Sequence, residues 1–138
     1  MNIARALKAG TAYWVMIFSL GFVLGMLRVM IVLPWLGNEL GAVLLELPVI
    51  LAASWVAARL LVRRFQLNRS SEMWLMGCLA FALTLMSEAL LAVFVFKEFL
   101  HEWAASQLVL PGALGFAGQM MFAAIPWLIH RKDRARRD

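Results

Sequence analysis

The chain has 138 residues, of which 64% are hydrophobic and 15% charged, with a formal net charge of +5 and one cysteine. The apolar residues are gathered into four long runs that a soluble core of this length could not hide, which excludes an ordinary globular domain. The basic residues stand at the edges of those runs, a topology signal rather than a nucleic-acid patch, and the lone Cys78 excludes an internal disulfide.

The first run follows Arg5 and Lys8 and extends from about Ala12 to Leu33. It is too long for the apolar part of a signal peptide, and no small-x-small cleavage site closes it, so it is expected to be an uncleaved span. Together the runs predict spans at about 11–33, 40–62, 73–96 and 111–130, each with the roughly 20 residues that cross ~30 Å of hydrocarbon as a helix. The expected fold is an all-α, four-helix transmembrane bundle forming a single membrane domain over 1–138. Residues 131–138, "RKDRARRD", make a solvated basic tail that can touch anionic lipid.

Between the spans lie "PWLGNE", "RRFQLNRSS" and "KEFLHEWAASQLVL". The last of these suits either a short amphipathic helix on the membrane surface before Pro111 opens the fourth span, or an ordinary solvated loop. Basic clusters at Arg5 and Lys8, at Arg59, Arg63, Arg64 and Arg69, and at Arg131, Lys132, Arg134, Arg136 and Arg137 fall on one side of a four-span chain. Both termini are therefore expected in the cytoplasm of a bacterium, with the chain a multi-pass protein of the inner membrane. Trp35, Trp55, Trp74, Trp103 and Trp127 fall mostly near the predicted interfaces, with Trp55 rather deep.

Each span carries one polar side chain at nearly the same depth. Counting ~1.5 Å per helical residue puts Arg28, Glu46, Glu88 and Gln119 roughly 8–12 Å below the outer surface. Helical facing places each beside small residues. Arg28 shares a face with Gly21 and lies near Gly25, a GxxxG spacing, and Glu46 goes with Ala42, Ala53 and Ala57. Glu88 goes with Thr84, Phe81 and Gly77, and Gln119 with Gly112, Gly115, Ala123 and Pro126. Small residues mark helix contacts in lipid, so Gly21, Gly25, Gly112 and Gly115 are candidate packing positions. The polar residues are the candidate proton-, cation- or ligand-binding set.

The charges in that set do not balance. Arg28 stays protonated, and it can neutralise only one of Glu46 and Glu88. The other needs a proton, a cation or a cationic ligand. Pro48 cannot donate to the carbonyl of Leu44 and is expected to kink or loosen the helix around Glu46. Two functions fit this arrangement. One is a proton- or cation-linked binding or transport protein, which at four helices would need a homo-oligomer. The other is an accessory or assembly subunit of a larger membrane complex, with the cluster acting only to hold helices in register.

No catalytic residues, metal ligands or cofactors are expected. The sequence has no HExxH, GxSxG or Walker A, and His101 and His130 are predicted about a membrane thickness apart. The nine methionines read as adaptable packing without a His or Cys cluster. Ser54 and Ser87 lack a histidine partner, and Cys78 is expected to be a small buried residue. The expected partners are the lipid bilayer, further copies of the chain or a larger membrane complex, and no nucleic acid.

The stretches "GFVLGMLRV", "LLELPVILAASWVAARLLVRRF" and "GCLAFALTLMSEALL" resemble those of small four-span inner-membrane proteins of Gram-negative bacteria, a group with no function to carry over. The four-span multidrug exporters share the size and an intramembrane glutamate. Their glutamate, however, lies in the first span, where this chain has Arg28, and the chain is not assigned to them.

Overall fold

Hydrophobic length decides the architecture. In the computed structural model, which describes all 138 residues, helix takes 85% of the chain and there is no strand. Four helical segments, Ile3–Leu36, Glu39–Arg64, Ser70–Val95 and Gly112–Ala135, are long and apolar enough to cross a membrane. The first comprises α1 (Ile3–Leu27), a π-helical turn (Arg28–Val32) and α2 (Leu33–Leu36). Next come α3 (Glu39–Arg64) and α4 (Ser70–Leu90), the latter continued by a second π turn (Leu91–Val95). The short α5 (Leu100–Ser106) and the last span, α6 (Gly112–Ala135), complete the chain. The segment before Pro111 thus contains a helix rather than loop alone.

Local chemistry explains the ends. Asn2 caps α1 by accepting from the Arg5 amide at 3.2 Å, so this helix starts well before the apolar run does. Gly37 takes a left-handed φ of 68°, which favours glycine, and Asn38 then caps α3 through the Leu40 and Gly41 amides. The tail also differs from expectation: α6 runs on to Ala135 rather than ending near 130. There Arg131 and Lys132 lie over the rings of Trp127 and Trp55, each 5.5 Å from the centroid. Aromatic faces hold these cations against the bundle, which favours helix over free tail.

The two hairpins lie side by side, α1 packing on α4 and α3 and α6 packing on α4 and α3. The buried core gathers towards the end that carries the chain termini, around Ala9, Tyr13, Ala58, Met73, Met76, Ala80 and Ile129. Only 25 of the 138 residues are buried, and the outward faces are covered by large apolar side chains, a surface suited to hydrocarbon rather than water.

Close approach occurs at glycines other than those expected. A Cβ on Gly77 would collide with the backbone carbonyl of Ala123, and one on Gly10 would meet the Met76 carbonyl at 3.0 Å. By contrast, Gly25 and Gly115 have nothing within 4 Å, Gly21 reaches only the tip of Ile50 at 3.4 Å, and Gly112 abuts Ser106 at the end of α5. Backbone-to-backbone approach between spans is confined to the half near the termini, while in the other half Gly118 meets the Leu47 side chain of α3, a depth that facing arithmetic does not determine. Cys78, next to Gly77, is rotated away from the α4–α6 contact and is exposed rather than buried.

One bond crosses the bundle diagonally. Pro126 has no N–H to give the Phe122 carbonyl four residues earlier. Tyr13, fully buried and stacked on the Phe122 ring at 4.4 Å, donates its hydroxyl to that carbonyl at 3.0 Å.

Two outcomes follow for unfolding measured in detergent. Gly77→Ala should lose about 1–3 kcal/mol through overpacking, while Gly25→Ala should stay within about 0.5 kcal/mol; equal effects would refute the assigned crossing. Tyr13→Phe should cost about 1–3 kcal/mol by orphaning a buried carbonyl. The same change should cost much less in a Pro126→Ala background, where a backbone N–H returns to serve Phe122.

Candidate functional site

The four polar residues expected at one level are drawn into two pairs, one in each hairpin. Arg28 opens the π turn that follows α1, and its Nη1 donates to Glu46 Oε2 on α3 at 2.9 Å. The pair is partly exposed, at 30% for the Arg28 side chain and 18% for Glu46. This is the chain's only ion pair. In the other hairpin, Gln119 Nε2 of α6 donates to Glu88 Oε1 of α4 at 2.6 Å. No hydrogen bond or ion pair joins one pair to the other.

Glu46, Glu88 and Gln119 lie on sides of their helices that hold buried residues, whereas Arg28 does not, since Gly21 and Gly25 on its side are only half-buried. Ala42 and Ala57, on the Glu46 face, are buried, as are Thr84 and Gly77 on the Glu88 face and Pro126 on the Gln119 face. Both pairs stand above the core in the half away from the termini, and each π turn lies close to one of them. A π turn widens the helix and redirects its carbonyls: the Leu33 amide bonds back five residues to the Arg28 carbonyl.

Pro48 lies inside α3, which continues unbroken from Glu39 to Arg64. It leaves the Leu44 carbonyl without its usual backbone donor, and no side chain replaces that donor as Tyr13 does for Phe122. The hydroxyls nearby are occupied within their own helices, Ser54 donating to the Ile50 carbonyl, Thr84 to Ala80 and Ser87 to Leu83. His101 sits on α5 against Phe99, and His130 near the opposite end of the bundle on α6.

A second polar knot was not foreseen. Glu72, buried in the first turn of α4, accepts from the Asn2 amide at 2.8 Å, from Asn68 at 2.9 Å and from Arg69 at 3.1 Å. It ties the start of the chain to the α3–α4 turn. The signal for half of this was present: a glutamate at the third position of a helix serves the amides that open it. The other half, the chain terminus arriving 70 residues away, has no local signature.

Comparison with protein-family models, with curated proteins and with solved structures finds no match. The site must therefore be read from its own chemistry: one compensated ion pair, and one carboxyl whose only partner is an uncharged amide.

Glu72→Gln would turn an amide nitrogen towards backbone N–H donors. It should cost about 1–3 kcal/mol and make the first residues of the chain readily cut by protease. A variant with unchanged unfolding and proteolysis would refute the knot's role.

Proposed function

We propose that this chain is a multi-pass protein of the bacterial inner membrane, with both termini in the cytoplasm. In this reading it binds a proton or small cation in the outer half of its bundle. As a homo-oligomer it carries that ion across the membrane. The orientation rests on charge: of the 13 lysines and arginines, all but Arg28 and Lys97 lie towards the end that holds both termini.

The observation that carries the functional reading is the pairing. Arg28 is committed to Glu46, so Glu88 faces only the amide of Gln119. A carboxylate with no counter-charge in hydrocarbon is strongly disfavoured, and such residues mark proton and ion pathways. A single four-helix bundle filled by its own side chains offers no through-pore. The open face at Gly25 is the surface on which copies of α1 could approach. No catalytic group, cofactor or metal enters this reading.

An accessory or assembly role is the second reading, favoured by one specific fact: each of the four polar side chains already has a partner inside the chain. The pairs would then serve as helix–helix glue. Recovery of the chain from mild detergent with stoichiometric foreign subunits would favour this role, and recovery of the chain alone would count against it.

The transport reading is tested with liposomes holding a trapped pH dye under an imposed potential. Wild-type protein should move protons or the supplied cation, and Glu88→Gln should fall to the protein-free rate while remaining folded. Full flux in Glu88→Gln, or none in wild type, overturns it.

A further inference from the structure

Deepening that reading and resting on it, we propose that Glu88 and Gln119 form a proton-binding site. The ligand is a proton on Glu88 Oε2, held by the amide oxygen of Gln119, which closes a two-bond ring between the carboxyl and the amide.

Hydrogen-bond accounting points there. Gln119 has an N–H at 2.6 Å from Glu88 Oε1, yet its own Oε1 is shielded from solvent and receives no donor. No N–H or O–H of the chain donates to Glu88 Oε2 either. Two oxygens of one interacting pair thus lack a hydrogen, and the shielded Gln119 oxygen is costly to leave unsatisfied. One added proton satisfies both. On Oε2 it makes the carboxyl a donor to Gln119 Oε1, while the existing N–H bond remains. The terminal torsions of Glu and Gln are broad, so the two planar groups can turn face to face without leaving their rotamers.

A metal cation fits the same place less well. Hard cations collect about six oxygen ligands, and the side chains of this pair offer at most three. The hydroxyls that might add to them, Thr84 and Ser87, donate to the carbonyls of Ala80 and Leu83. No charged group of the chain makes an ion pair with Glu88, Lys97 and Glu98, which follow the second π turn, included. In the π turn after α1, Arg28 is bonded to Glu46 and makes no ion pair with Glu88. The π turn Leu91–Val95 carries no ionisable group, His101 and Glu102 belong to α5, and the charged residues of α6 all follow Ile129. On α4 itself, Glu72 lies at the opposite end of the helix.

The test is infrared spectroscopy of the full chain in lipid at neutral pH, with glutamate side chains isotopically labelled so that a protonated carboxyl C=O band can be assigned. The expected result is one such band, insensitive to sodium, lost in Glu88→Gln and kept in Glu46→Gln. It should shift in Gln119→Leu, which removes the acceptor. Glu88→Gln should itself accumulate like wild type, because two facing amides can close the same ring. Absence of the band, its survival in Glu88→Gln, or its appearance only when sodium is removed would overturn the proposal, the last naming a metal cation as occupant. If Glu88→Gln fails to accumulate, an unshifted band in Gln119→Leu refutes the ring. A band without proton flux would defeat the transport reading and leave this site standing. Flux that needs Glu88, with no band, would do the reverse.

Discussion

Hydrocarbon offers no hydrogen bonds, so each polar group placed within a span must be answered from within the chain. The arrangement of this bundle follows from how its few polar groups are answered. Ser54, Thr84 and Ser87 bond to carbonyls one turn earlier on their own helices, which makes three polar residues cheap to carry. The Phe122 carbonyl, freed by Pro126, is met from the opposite corner by Tyr13. That single bond links the first and last spans through the core. Trp14 Nε1 is an exception, shielded and without a partner, and nothing in the structure explains it.

The same constraint gives the bundle two unlike halves. Near the termini, Gly10 and Gly77 let α1, α4 and α6 approach backbone to backbone, and Glu72 fastens the start of the chain to the α3–α4 turn. In the other half no built Cβ of the expected glycines Gly21, Gly25 and Gly115 meets backbone of another span, π turns interrupt the first and third spans, and long polar side chains pair between helices. A tight base with a polar upper part suits a protein that admits a small ion from one side. It also suits one that offers its outward faces to other helices.

Much of this was legible in the chain. Four apolar runs of sufficient length announce four spans, and facing arithmetic turned Glu46, Glu88 and Gln119 towards buried small residues. What facing omits is azimuth between helices: it could not tell that Arg28 would take Glu46 and leave Glu88 to Gln119. It also omits the depth of crossing, so the GxxxG of Gly21 and Gly25 read as contact, whereas Gly77, one glycine among apolar neighbours, makes the closest approach. Cys78 was misplaced for the related reason that its neighbour, not itself, faces α6. Hydropathy likewise stops at the polar turns, and so the helical starts at Ile3 and ends at Ala135 needed the Asn2 cap and the cation–aromatic contacts to explain them.

The proposed function requires the polar residues to be two separate pairs rather than one shared cluster, since that separation leaves Glu88, not Glu46, without a counter-charge. Double-mutant cycles among Arg28, Glu46, Glu88 and Gln119, read by unfolding in detergent, measure this directly. Coupling of about 0.5–2 kcal/mol is expected within Arg28–Glu46 and within Glu88–Gln119, and none beyond error across the pairs. Coupling of Arg28 to Glu88 as strong as to Glu46 would contradict that separation.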